Sequence, residues 1–207
     1  MSAKALEFWL GYGSTYSFLS VMRIERAIDG KGIPLAWKPF NLTVLMREKG
    51  LPTGPFVPRP EKMAYMWRDL ERRAQLRGLP YRKPPQYPVD SQKTVRVGCL
   101  AAREGWCGPF SRRVFEMNFV EGRAIGAPGN LEAALSELGK DPQATIRRAH
   151  EPDVEQALDR DTRSALERGL FGSPHFVVGD ELFWGDDRLE DAIEWCVSGR
   201  LSAGARS

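Results

Sequence analysis

The stretch that most constrains this chain is Phe171-Gly172-Ser173-Pro174-His175-Phe176-Val177-Val178, followed after Gly179-Asp180 by Leu182-Phe183-Trp184-Gly185-Asp186-Asp187-Arg188-Leu189. Proline cannot donate to a sheet ladder, yet Pro174 leads directly into an apolar strand. A cis Ser173-Pro174 bond accounts for that placement, since it holds the preceding backbone open for another chain to pair with. Gly179-Asp180 fits a two-residue hairpin turn. Asp187, with Glu190 three residues on, fits a capping box for a last helix whose buried stripe is Leu189, Ala192, Ile193 and Cys196. The chain thus closes on a ββα unit with an open backbone edge, a shape suited to peptides and peptide-like thiols.

The opening is equally patterned. Leu6, Phe8 and Leu10 alternate with Glu7 and Trp9 as a strand does. After a break at Gly11-Tyr12-Gly13-Ser14, Phe18, Val21, Ile24 and Ile28 recur at helical spacing, and Gly30 and Gly32 stop the helix. A second strand is predicted over residues 33–38, with Leu35 and Trp37 on one face. Two strands joined by such a helix predict a parallel βαβ unit.

Between the two ends the pattern is helical. A Gly- and Pro-rich loop over 50–60 precedes an amphipathic helix carrying Met63, Met66, Trp67, Leu70 and Ala74 inward. The proline-rich segment 81–89 is irregular. Helices are predicted near 91–104, 109–121, 142–149 and 152–168. Another is expected to be capped by Asn130, with Leu131, Ala134, Leu135 and Leu138 inward and Gly139 as its stop. The resulting plan is α/β: a thioredoxin-like βαβ…ββα unit from residues 1–48 and 169–207, with a large all-helical insertion at 49–168.

Composition excludes several classes. Thirty basic residues stand against 27 acidic ones, a net charge of +3, so no nucleic-acid footprint emerges. No apolar run approaches the ~18–20 residues of a membrane span, and Met1-Ser2-Ala3-Lys4 lacks a signal-peptide core. A soluble, cytoplasmic protein is expected. Cys99, Cys107 and Cys196 are odd in number and widely spaced, so neither a CxxC redox pair nor a zinc ligand set exists, and free thiols are expected. With only His150 and His175 as histidines, no metal site is expected.

In a thioredoxin-like plan the first strand ends at the first helix's N-terminus, facing the cis-proline loop. The residues there are Ser14-Thr15-Tyr16-Ser17. A serine at that position is commonly an N-cap. It can also aim its hydroxyl, beside the positive helix end, at a bound thiolate and lower that thiol's pKa. A thiol carried in by a ligand would then replace the missing CxxC.

Phe8-Trp9-Leu10-Gly11-Tyr12-Gly13-Ser14-Thr15-Tyr16-Ser17-Phe18-Leu19 resembles the opening of 2-hydroxychromene-2-carboxylate isomerases and the related kappa-class glutathione transferases, which usually read Phe-Tyr-Phe-Asp-Phe-x-Ser-Pro-Tyr-Ser-Tyr-Leu. Lys62-Met63-Ala64-Tyr65-Met66-Trp67-Arg68-Asp69-Leu70 resembles their Lys-x-x-Tyr-Met-x-x-Asp-Leu helix. Phe171-Gly172-Ser173-Pro174 and Phe183-Trp184-Gly185-Asp186-Asp187-Arg188-Leu189 resemble Phe-Gly-(Ser/Ala)-Pro and Phe-Trp-Gly-x-Asp-Arg-Leu. The four segments occur in order along nearly the whole chain.

The resemblance implies a glutathione cofactor, with Ser14 as the catalytic serine at its sulfur. Ser173 and Pro174 would pair with its cysteinyl part, Asp186 and Asp187 would lie near its γ-glutamyl ammonium, and Lys62 and Tyr65 near its glycyl end. Lys38 matches a lysine facing a small aromatic carboxylate substrate. The implied reaction interconverts 2-hydroxychromene-2-carboxylate and trans-o-hydroxybenzylidenepyruvate in aromatic catabolism, and the implied assembly is a homodimer. Alternatives are a kappa-like transferase acting on another electrophile, or a non-catalytic thiol- or peptide-binding module. The chain departs from the pattern where Gly11 stands for Asp and Thr15 for Pro, and His175 follows the proline.

Overall fold

The computed structural model describes residues 3–202. Strand β1 (Leu6–Leu10) pairs in parallel with β2 (Leu35–Pro39) and antiparallel with β3 (His175–Val178), which pairs antiparallel with β4 (Glu181–Trp184). The order β2-β1-β3-β4 makes the first strand and the strand after Pro174 central neighbours. Val178 faces Glu181 across Gly179-Asp180, so the expected hairpin forms. The Ser173–Pro174 bond is cis, as the sequence predicts, and Tyr87–Pro88 is a second cis bond.

Register sorts the side chains into two rows, since alternate residues of a strand face opposite sides of the sheet. Trp37, Phe8, Phe176 and Phe183 lie side by side across the strands, as do Lys38, Trp9, His175 and Trp184. The Phe8 row packs into a core continuous with Phe18, Leu100, Phe115, Leu135, Val154 and Ile193. That single core joins the ends of the chain to its helical middle: Phe18, for instance, stacks on Phe119 with ring centroids 4.8 Å apart. The Trp9 side has its own smaller core with Phe40, Leu45, Met46, Ala165, Leu170 and Val177. Both faces are therefore covered.

The first helical stretch is two helices rather than one, α1 (Thr15–Val21) and α2 (Ile24–Ile28). The break falls at Arg23, which leaves helical geometry (φ −135°) and directs its guanidinium to Asp186 and Glu190. Helix α3 (Leu42–Glu48) was not anticipated by the sequence pattern; Asn41 caps it by accepting the Val44 N–H at 3.3 Å. The helical middle consists of α4 (Pro60–Leu76), α5 (Gln92–Glu104), α6 (Cys107–Phe119), α7 (Asn130–Glu137), α8 (Pro142–Ala149) and α9 (Pro152–Glu167). These match the predicted ranges to within a few residues.

Two expected caps do not form. Asn130 is the first residue of α7, not its cap, and its side-chain amide instead donates to the Ala124 carbonyl at 2.9 Å, closing the preceding loop. The last helix, α10 (Leu189–Ser198), follows a single 3-10 turn over Asp186–Arg188 and has no side-chain cap. Glu190 cannot reach back toward Asp187 because Arg23 holds it, and Asp187 pairs with Arg188 at 3.2 Å. No helix among the described residues is long and apolar enough to cross a membrane.

Candidate functional site

β1 ends at Leu10, and a turn closed by the Ser14 N–H on the Gly11 carbonyl (3.0 Å) delivers Ser14 to the start of α1. The Ser14 hydroxyl fills the N-cap role and is only 8% exposed. It accepts the Ser17 N–H at 3.3 Å, which makes it the N-cap, and donates to the Ser173 carbonyl at 2.7 Å. Ser173 in turn is pinned by its side chain. Its Oγ accepts the Gly11 N–H at 2.9 Å and shares a 2.8 Å hydrogen bond with the buried Ser17 Oγ. Ser17 was not among the sequence candidates; its signal was a hydroxyl one turn after Ser14, among residues that must face the core.

The departures at Gly11 and Thr15 have local causes. A Cβ on Gly11 would lie 2.5 Å from the Leu42 Cβ, so an aspartate has no room beside α3. Thr15 is buried and points its hydroxyl at the Met66 sulfur (3.2 Å). One turn of α4 further on, Asp69 accepts the Tyr16 hydroxyl at 3.0 Å. Met66 and Asp69 thus fasten α4 to the start of α1. Lys62 and Tyr65 stand four residues before them, one turn or about 5.4 Å along the same helix face. Both are exposed, with Lys62 over the Phe56 ring (5.5 Å) and Arg72 over the Tyr65 ring (5.7 Å). α1 spans seven residues, so little helix dipole stands behind Ser14.

Asp186 and Asp187 have different fates. Asp186 is buried and surrounded by donors: Ser20 Oγ and Arg23 Nε each at 3.0 Å from Oδ1, and Arg77 Nη2 at 2.5 Å from Oδ2. Its charge is already matched by two guanidinium groups. Burial pushes the Glu190 carboxyl up, but Arg23 outweighs this and holds it below the usual carboxylate range. Asp187 is more than half exposed and pairs with Arg188.

Lys38, on the Trp9 side of the sheet, lies away from the α1 side. Its ammonium meets Asp161 of α9 at 3.3 Å and sits 5.7 Å above the Trp9 ring. It also borders a cavity of about 550 Å³ along β2, lined by Glu25, Trp37, Cys107 and Gly108 among others; no residue of the serine cluster lines it. His175 shares the Trp9 face. Its Nδ1–H donates to the Gly172 carbonyl at 3.0 Å, the acceptor fixing the tautomer, while Nε2 is buried without a hydrogen-bond partner. Burial pushes the imidazole down to about 4. The Phe171 ring stands perpendicular to the imidazole with ring centroids 4.9 Å apart, and Trp184 lies beyond.

All three cysteines are free and buried. Burial pushes Cys99 and Cys196 up to about 11 and Cys107 up to about 12. At neutral pH they are protonated and shielded, so none supplies a thiolate at the serine cluster.

Residues 5–194, from β1 into α10, match the DSBA-like thioredoxin domain. The chain belongs to that family. It is 27% identical over 186 residues to a 2-hydroxychromene-2-carboxylate isomerase of Pseudomonas putida, covering 89% of this chain and 90% of that protein. It is also 25% identical to glutathione S-transferase kappa 2 of Caenorhabditis elegans, over 93% of this chain and 91% of the relative. A solved 2-hydroxychromene-2-carboxylate isomerase superimposes with a TM-score of 0.80 at 26% identity, over 92% of this chain and 94% of that one. These matches within the DSBA-like family are to proteins named as isomerases and to one named as a kappa transferase.

Proposed function

We propose that this protein is a glutathione-dependent cis–trans isomerase that interconverts 2-hydroxychromene-2-carboxylate and trans-o-hydroxybenzylidenepyruvate. One observation carries this: the position facing the cis-proline loop holds a serine hydroxyl, 2.7 Å from the Ser173 carbonyl, while every cysteine of the chain is buried elsewhere with a raised pKa. A thioredoxin-like site of this kind is built to receive a thiol rather than to provide one.

The donor set fits glutathione group by group. Ser14 offers a hydroxyl to sulfur, the Ser173 backbone an acceptor for an amide, Lys62 a cation for the glycyl carboxylate, and Asp187 an exposed carboxylate for the ammonium. Asp186 serves instead as the buried brace that Arg23 and Arg77 hold, setting the turn that carries Asp187. Bound glutathione would supply a thiolate that adds reversibly to the conjugated enone, so that the carbon–carbon bond can rotate before the thiol leaves. Ser14 keeps that sulfur ionised by donating its hydrogen bond. The Ser17 N–H donates to the same oxygen and strengthens the donation along the chain of bonds. Lys38 takes the substrate's carboxylate on the strength of the family resemblance alone; it lies on the Trp9 face of the sheet and must leave Asp161 to do so.

Isothermal titration with glutathione, followed by the chromene interconversion assay, tests the proposal. Heat at millimolar glutathione together with turnover is expected. Absence of binding would sink it. Binding without turnover would instead favour a transferase or a binding module, in line with the similarity to the kappa transferase.

A further inference from the structure

We infer that the outer edge of β2 docks an extended peptide segment, as an added antiparallel strand, in which an acidic residue directly precedes an apolar one. In the order β2-β1-β3-β4 the far edge of β2 meets no other strand. The Pro34 carbonyl accepts the Leu6 N–H, and the Phe40 N–H donates to the Leu10 carbonyl. Backbone groups alternate sides along a strand, so Ala36 and Lys38 also turn theirs toward β1, while Leu35 and Trp37 turn theirs outward. Among the described residues, neither the Trp37 N–H nor its carbonyl has a hydrogen-bond partner. That edge opens into the cavity of about 550 Å³. Four consecutive residues, Leu35 to Lys38, line it although their side chains alternate between the two faces, which requires the cavity to run along the edge itself. Opposite the strand, Ala102, Gly105 and Gly108 carry little or no side chain and leave room for another chain.

An added antiparallel strand satisfies both Trp37 groups with one residue, which gives its N–H to the Trp37 carbonyl and accepts the Trp37 N–H. Directly paired residues share a face, so the side chain of that residue lies on the Trp37 side. The walls there are apolar: Ile28, Leu35, Trp37 and Ala102 all pack against the larger core. Glu25 also lines this side, but its carboxylate is held by Arg112. The residue before it in the added strand lies opposite Lys38 and faces the Trp9 side. The Lys38 ammonium gives one hydrogen to Asp161 at 3.3 Å and has two more to offer, which selects a carboxylate. No residue of the serine cluster lines the cavity, so this site stands whether or not glutathione binds at Ser14.

Titration of the ¹⁵N-labelled full chain with acetyl-Ala-Glu-Leu-Ala-amide, read by NMR on the Trp37 amide, tests the docking. A saturable shift of that resonance and slower hydrogen exchange at the same amide are expected. The N-methylleucine form of the peptide loses the N–H that the Trp37 carbonyl accepts and should bind at least about tenfold more weakly. The reversed order, acetyl-Ala-Leu-Glu-Ala-amide, has the same composition but sets its acid beside Ala36, and should bind about two- to fivefold more weakly at low salt. A Trp37 amide that the first peptide leaves unmoved, or an N-methylated peptide that binds as well, overturns the docking. Equal affinity for the two orders overturns the pairing of the acid with Lys38, and the proposed sequence preference with it.

Discussion

Acidification from pH 7.5 to 4.5 should cost this protein stability through His175. The imidazole is wholly buried, donates Nδ1–H to Gly172, and has nothing for a second proton at Nε2 to donate to. In the folded protein burial lowers its pKa from the ordinary 6.5 to about 4. The unfolded chain therefore binds a proton below about pH 6.5 that the folded chain refuses until about pH 4. Stability from this group is fully present above 6.5 and is lost as pH falls through that window. The gap, at 1.36 kcal/mol per pH unit, amounts to about 3 kcal/mol in total. Roughly 1 kcal/mol of it is gone at pH 5.5 and most of it at pH 4.5. Urea unfolding at pH 7.5, 5.5 and 4.5 measures the loss in the native protein and in His175→Asn, whose amide can keep the bond to Gly172 without titrating. The variant starts less stable, having lost ring packing, but its curve should be flatter by these amounts. Parallel curves between pH 7.5 and 4.5 would refute the assignment of a buried, unprotonated His175.

The two aspartates of the last turn should behave oppositely. Asp186→Asn removes the carboxylate that Arg77 pairs with and leaves Arg23 only Glu190, and should destabilise by about 3–5 kcal/mol in chemical denaturation. Asp187→Asn should stay within about 0.5 kcal/mol of native stability yet raise the KM for glutathione, and equal losses of stability would show the division of roles to be wrong. Gly11→Ala forces a methyl onto the Leu42 Cβ and should cost about 1–3 kcal/mol. Leu42→Ala should restore only part of that, because it keeps the nearest atom; an unchanged Tm for Gly11→Ala would contradict the packing. Lys38→Met should raise the KM for the aromatic carboxylate with the glutathione Kd unchanged, and an unaltered KM would remove Lys38 from the substrate site.

Turn chemistry and periodicity act over a handful of residues, and what they governed could be read from the sequence by itself. The alternation of Leu6, Phe8 and Leu10, the Gly179-Asp180 turn, the Ser173-Pro174 cis bond, Ser14 as helix cap and the lack of a usable cysteine pair all belong to this class. Only the tertiary structure decided the rest, because those outcomes depend on groups far apart in the chain. Arg23 breaks the first helix and takes Glu190 from its capping box because the fold sets it against residues more than 160 positions away. In the sequence Asp186 reads as the twin of Asp187, and two arginines at the ends of different helices make it a buried brace. Gly11 is read correctly only beside Leu42, and Ser17 only beside Ser173, since a residue's free space and its hydrogen-bond partner are properties of the packed chain.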